Sequence, residues 1–161
     1  MDKTRCIQAG DAAADFVLKD HTNKAFTLSA HTGKRVLLSF HPLAWTSVCA
    51  QQMQSLEKNY EIFTQLNTVA VGISVDSVPS KNSWAKSLQI KNTPLLSDFW
   101  PHGKVAESFG VFRNNEGISE RAHVIVNEEG VIEYVQIYEL SELPDIAEII
   151  AVLKTMEHIE A

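Results

Sequence analysis

The chain has 161 residues, 45% of them hydrophobic and 21% charged, a composition that fits one folded domain over 1–161 and excludes a disordered chain. Fourteen Lys and Arg against twenty Asp and Glu leave a formal net charge of −6, which excludes nucleic-acid binding through bulk positive charge. The most apolar stretches, 36–40 and 69–75, fall far short of the roughly 20 residues a membrane-spanning helix needs, and Met1-Asp2-Lys3-Thr4-Arg5-Cys6 offers no apolar signal core. The expectation is a soluble, cytoplasmic protein.

Residues 1–12 read as a polar lead-in, and 16–18 and 25–28 as short strand pieces around the turn signal His21-Thr22-Asn23. The run 35–41, RVLLSFH, is nearly continuously apolar, as a buried central strand is, and stops at Pro42, which cannot donate to a ladder. From Val48 the period turns helical. Cys49, Met53, Leu56, Tyr60 and Phe63 recur at steps of 4, 3, 4 and 3 and predict one helix to about Leu66. A second buried strand is predicted over 68–75, a helix over 80–89 with Pro79 near its start, and a short strand or turn over 95–97. A short helix over 103–109 ends at Gly110. Segments 121–127 and 131–138 flank Asn127-Glu128-Glu129-Gly130 and predict a hairpin. Ile146, Ile149, Ile150, Leu153 and Met156 define a final amphipathic helix. This order predicts an α/β fold of thioredoxin-like architecture, a central mixed sheet with helices on both faces.

Cys6 and Cys49 are the two cysteines, so at most one internal disulfide is possible, and the six histidines have no metal-site spacing. Cys49 lies in the first turn of the helix that follows the first central strand. Free N–H groups and the helix dipole there favour an anion, and the thiolate is the reactive form of cysteine. Sites also gather at the carboxyl ends of strands in open α/β sheets. Thr46, three residues earlier, is an N-cap residue type. From these residues alone two readings stay open: a reactive thiolate, or an inert core thiol behind a capped helix.

The stretch Ser39-Phe40-His41-Pro42-Leu43-Ala44-Trp45-Thr46-Ser47-Val48-Cys49 resembles the peroxiredoxin active-site signature P-x-x-x-T-x-x-C. Glu120-Arg121-Ala122-His123-Val124-Ile125-Val126 is similar to the strand that carries the family's active-site arginine, which points to Arg121, 72 positions after Cys49. Gly10-Asp11 with Asp15-Phe16, Ser74-Val75-Asp76-Ser77 with Trp84, and Pro94-Leu95-Leu96-Ser97-Asp98 resemble further landmarks in the right order. The resemblance implies a thiol-dependent peroxidase that reduces hydrogen peroxide and organic hydroperoxides. In it Cys49 becomes a sulfenic acid, and the Thr46 hydroxyl bonds the thiolate or the peroxide. Arg121 supports the thiolate and the charge on the reacting oxygens, Pro42 shields the sulfur, and the backbone N–H groups of Val48 and Cys49 act as donors. None of these roles needs a metal or an organic cofactor.

The chain departs from the pattern at His41, where an aromatic is common, at Ala14, usually proline, and at Gln52, often glutamate. His41 reads as a packing residue or an edge of the pocket, not a base. Trp45, Trp84 and Trp100 read as packing or interface residues. For a resolving thiol, positions 52 and 54 are both Gln and no cysteine follows Cys49. Only Cys6 remains, outside the usual resolving positions. The expectation is therefore a one-cysteine mechanism completed by an external thiol or redox-protein reductant, in a homodimer, with Cys6 as resolver the open alternative. A thioredoxin-fold thiol-disulfide oxidoreductase lacks its second cysteine at 52. A non-catalytic binding or chaperone module is opposed by the presence of Pro42, Thr46, Cys49 and Arg121 together.

Overall fold

The computed structural model describes residues 6–159, with side chains through Met156. The predicted lead-in thus falls partly outside the described residues. Its remainder is pinned to the sheet: Gly10 N donates to Ile132 O at 2.8 Å and Ala13 N to Gly130 O at 2.9 Å. A hairpin of β1 (Val17–Asp20) and β2 (Ala25–Thr27) leads through a 3-10 turn to β3 (Arg35–Phe40), α1 (Ser47–Lys58), α2 (Tyr60–Gln65) and β4 (Thr68–Ser74). Then come α3 (Val78–Ser87), β5 (Leu95–Ser97), α4 (Lys104–Ser108), β6 (Phe112–Arg113), β7 (Ile118–Ser119), β8 (Arg121–Val126), β9 (Ile132–Tyr138) and α5 (Ile146–Ile159). Seven strands form one mixed sheet in the order β2-β1-β5-β4-β3-β8-β9. β3, β4 and β5 run parallel, while β1, β2, β8 and β9 join antiparallel.

Alternation along the central strands splits the interior in two. Val36, Leu38 and Phe40 of β3 join Ala122, Val124 and Val126 of β8 in a core that takes in Val105, Ala106 and Phe109 of the α4 region. Leu37 and Ile125 face the other way, into a core with Cys49, Met53 and Leu56 of α1, Trp84 of α3, and Ile149, Leu153 and Met156 of α5. Helices therefore cover both faces, as the element order predicts. A side chain on Gly72 of β4 would collide with Met53 Sδ. Glycine there lets α1 settle onto the sheet. No helix among the described residues is long and apolar enough to cross a membrane.

Three elements differ from the sequence reading. The helix expected from Val48 to Leu66 breaks at Asn59, whose side-chain amide donates to Ser55 O at 2.8 Å and competes with the helical ladder. The break turns Tyr60 outward, 42% exposed, while Phe63 stays in the core. The helix expected over 80–89 starts earlier, at Val78, because Ser77 Oγ caps Ser80 N and Pro79 fits the first turn. It ends earlier, as Gln89 takes a left-handed φ of 59°. The small hairpin of β6 and β7 has no counterpart in the predicted elements: two residues a strand are too few to leave a period.

Candidate active site

Parallel pairing of β3 with β4 and antiparallel pairing of β3 with β8 bring the end of β3, the end of β4 and the start of β8 to one edge, with Phe40 opposite both Ile73 and Ala122. Helix α1 starts at that edge after the connection 41–46. Ala50 N donates to Thr46 O at 2.9 Å. The N–H groups of Ser47, Val48 and Cys49 thus precede the helical ladder and are free to meet an anion. Val48 is half-buried, and Cys49 has no exposed surface.

Arg121, the first residue of β8, reaches across from the sheet. Its Nη1 lies 3.2 Å from Cys49 Sγ and donates to Gln52 Oε1 at 2.7 Å. Nε and Nη2 both donate to Leu140 O, at 3.0 and 2.8 Å. That carbonyl follows β9, which pairs Tyr138 with Arg121. The guanidinium is thereby held on three sides. Among the described residues no carboxylate pairs with it, so the acidic group this buried, permanently charged side chain touches is the Cys49 thiol.

Gln52 is a site residue that sequence reasoning missed. Its Nε2 donates to Ser39 Oγ at 2.7 Å and to Phe40 O at 3.1 Å, which leaves Oε1 for Arg121. Its signal was present: three positions after Cys49, it occupies the same helix face. Ser39 extends the network to His123 Nε2 at 3.0 Å, matching their paired register on β3 and β8. Burial pulls His123 down to about 4, so its imidazole is neutral.

The connection 41–46 carries the other predicted residues. Pro42 is buried and Thr46 exposed. Thr46 occupies the N-cap position with extended backbone, yet its side chain makes no capping bond. The hydroxyl donates to Leu43 O at 2.8 Å instead, which corrects the reading of Thr46 as a side-chain cap. That bond uses its one proton and leaves the oxygen able to accept. Trp45 has a left-handed φ of 67°, rare for a bulky residue.

Cys6 packs against the core that contains Phe40 and Phe109, whereas Cys49 belongs to the core on the opposite sheet face. The sheet stands between them.

The AhpC/TSA family model matches residues 9–135. The chain is 36% identical over 140 residues to alkyl hydroperoxide reductase E of Mycobacterium tuberculosis, covering 86% of this chain and 91% of that one. Among solved structures, the reduced 2-Cys peroxiredoxin of Plasmodium vivax superposes with a TM-score of 0.85 at 27% identity, covering 94% of this chain and 83% of that one. Peroxidoxin BcpB of Mycobacterium tuberculosis superposes with a TM-score of 0.81 at 27% identity, covering 93% of this chain and 98% of the other.

Proposed function

Because the chain belongs to the AhpC/TSA family and is a thiol-dependent peroxidase of the peroxiredoxin type, we propose that Cys49 is its reacting thiol, with Arg121, Thr46, Pro42 and Val48 completing the site. The observation that carries this assignment is the 3.2 Å approach of a buried guanidinium to a buried cysteine sulfur, without a competing carboxylate among the described residues. In the reaction the Cys49 thiolate attacks the terminal peroxide oxygen. An S–O bond forms, the O–O bond breaks, and the alkoxide or hydroxide leaves with the electron pair and takes a proton from water. Cys49 is left as a sulfenic acid, oxidised by two electrons, and the peroxide is reduced to an alcohol or water.

Each side chain has a role in that step. Arg121 favours the thiolate and spreads charge from the reacting oxygens. The Thr46 oxygen accepts from the peroxide O–H and directs the terminal oxygen to sulfur. Val48 and Cys49 N–H groups support the anion. Pro42 keeps water from the sulfur. A neutral amide at Gln52 holds the guanidinium without neutralising it, so the positive charge faces Cys49.

Regeneration by an external thiol or redox-protein reductant is supported by the placement of Cys6 across the sheet. The proposal further includes one domain over the chain, a homodimer, and action in the cytoplasm, where a free catalytic thiol persists. The test is to treat reduced protein with one equivalent of hydrogen peroxide, trap sulfenic acid with a carbon nucleophile, and map it. A trapped adduct on Cys49 without a disulfide to Cys6 supports the reading. A Cys6–Cys49 disulfide within the monomer overturns the one-cysteine part, and an unreacted Cys49 overturns the whole.

A further inference from the structure

Beside the site lies a second buried cation that the scheme above does not use. Lys81 of α3 is fully buried; its Nζ lies 2.8 Å from His41 Nε2 and donates to Ser74 Oγ at 2.8 Å. Ser74 Oγ donates to Asp76 Oδ2 at 2.6 Å, and the same carboxylate oxygen accepts from Ala44 N at 2.8 Å. The neighbouring Ser80 Oγ accepts the Trp45 indole N–H at 3.0 Å. His41 and Ala44 flank Pro42, and Trp45 precedes Thr46, so this polar chain grips the connection that carries both residues. A grip is needed there, because the left-handed Trp45 backbone persists only where its surroundings hold it.

We propose that Lys81 is a positioning residue of the peroxidase site: with His41 it clamps the connection 41–46, and its ammonium is a second buried positive charge supporting the Cys49 thiolate. The proposal rests on Cys49 being the reacting thiol. The groups facing Lys81 come from several elements: His41 at the end of β3, Asp76 between β4 and α3, and Cys49 of α1. His21, between β1 and β2, is a further neighbour, and Lys81 opposes its protonation. Arg121 of β8 acts on the same His41.

Burial pulls Lys81 down to about 7, while Asp76 and then Cys49 work to keep its proton on. Burial, then Lys81, then Arg121 hold His41 well below its ordinary value. The imidazole is therefore neutral, and its Nε2 accepts from the lysine. Its Nδ1 has no partner among the described residues. Attraction between two charges is reciprocal. Whatever the thiolate does to hold the proton on Lys81, the ammonium does to hold Cys49 ionised. Replacing the thiolate by a neutral group must then loosen the Lys81 proton.

The test has two arms. In the first, protein carrying 15N-labelled lysine is titrated by NMR as the reduced wild type and as Cys49→Ser. The expected result is a Lys81 midpoint at lower pH in Cys49→Ser; identical midpoints overturn the proposal. In the second, Lys81→Met replaces the ammonium by an apolar chain of similar length. If it folds, its thiolate absorbance should rise about one pH unit later than in the wild type, the lower end of what a neighbouring opposite charge does. At pH values below both absorbance midpoints the peroxide rate should fall about tenfold, the equivalent of that one unit in thiolate fraction. A folded Lys81→Met with wild-type absorbance titration and rate overturns the proposal. Should it not fold, the first arm decides alone, because the serine variant is nearly isosteric. Wild-type Cys49 oxidation by one equivalent of hydrogen peroxide checks the underlying reading separately: oxidation with no response at Lys81 defeats this inference and leaves that reading standing.

Discussion

The two faces of the central sheet are built by the same strands and behave differently. On one face β3 and β8 place Val36, Leu38, Phe40, Ala122, Val124 and Val126, all apolar and all buried. On the other, the intervening positions toward the parallel-strand ends are Ser39, Arg121 and His123, equally buried. Alternation is the cause: successive side chains leave a strand on opposite sides. The first face is a packing surface. At these strand ends the second buries an arginine, a lysine, two histidines and a glutamine, and burying such groups is costly unless they are paired. The network from Arg121 through Gln52 and Ser39 to His123 supplies that pairing. On the proposed assignment, polar groups at these positions serve the thiol beside them, since packing alone would fill the sites with Val or Ile.

The comparison breaks most sharply at the two cysteines. Cys49→Ser should reduce peroxide turnover to background with an unchanged fold. Cys6→Ser should leave the first oxidation step at the wild-type rate. Stopped-flow tryptophan fluorescence after mixing with hydrogen peroxide measures both, and a Cys49→Ser protein that keeps most of its turnover contradicts the assignment.

Arg121→Gln is the next largest. Losing a well-placed donor to a developing negative charge costs about 10²- to 10³-fold in rate. Under the proposed assignment Arg121 also favours the thiolate, so the pH profile separates the two contributions. Above about pH 9, where an ordinary thiol is largely ionised, the deficit should shrink but persist. A deficit that vanishes there leaves Arg121 with the ionising role alone.

Thr46→Val comes third. The hydroxyl points to Leu43 O and does not cap the helix, so the roughly 1 kcal/mol typical of a lost cap should not appear in denaturant unfolding. The rate with peroxide should fall about 10²-fold, as for a single lost hydrogen-bonding group at a reacting centre. A stability loss without a rate loss would reverse the interpretation.

The smallest effect is a slope. His123 is buried and neutral, its folded value pulled from 6.5 to about 4. Between those two values the unfolded chain binds the extra proton and the folded one does not. Stability therefore falls as pH drops through that window, by about 1.4 kcal/mol per pH unit for one such group. His41, lowered for the same first cause, adds to the slope with the same sign. Urea unfolding across the window should show His123→Gln with a shallower slope than the wild type; equal slopes remove His123 from the account.

How much of this was legible follows the distance between partners along the chain. The strand over 35–41 and its stop at Pro42, the hairpin over 121–138 and the apolar stripe of α5 all announce themselves locally. Pro42, Thr46 and Cys49 share one short motif, and Arg121 was reached through resemblance. The network was not legible because it depends on register. Ser39 meets His123 only because β3 and β8 pair those two residues, and Lys81 meets His41 across 40 positions. His41 itself reads as a packing residue in sequence; in the fold it packs on Trp84 at 5.2 Å between ring centroids and also bonds Lys81. Leu140 contributes a backbone carbonyl, which no side-chain pattern can signal. The break at Asn59 was missed for a local reason, since an asparagine that bonds its own helix backbone looks in sequence like any polar residue on an exposed face.

The most direct test sets the two faces against each other within one molecule. Reduced protein is mixed with substoichiometric hydrogen peroxide, quenched at successive times with an alkylating agent, and digested. Mass spectrometry then follows Cys6 and Cys49 separately. The expected result is one oxygen on Cys49, beside Arg121, while Cys6 is still fully alkylated. Oxidation of both cysteines at the same slow rate, or of Cys6 first, would contradict it.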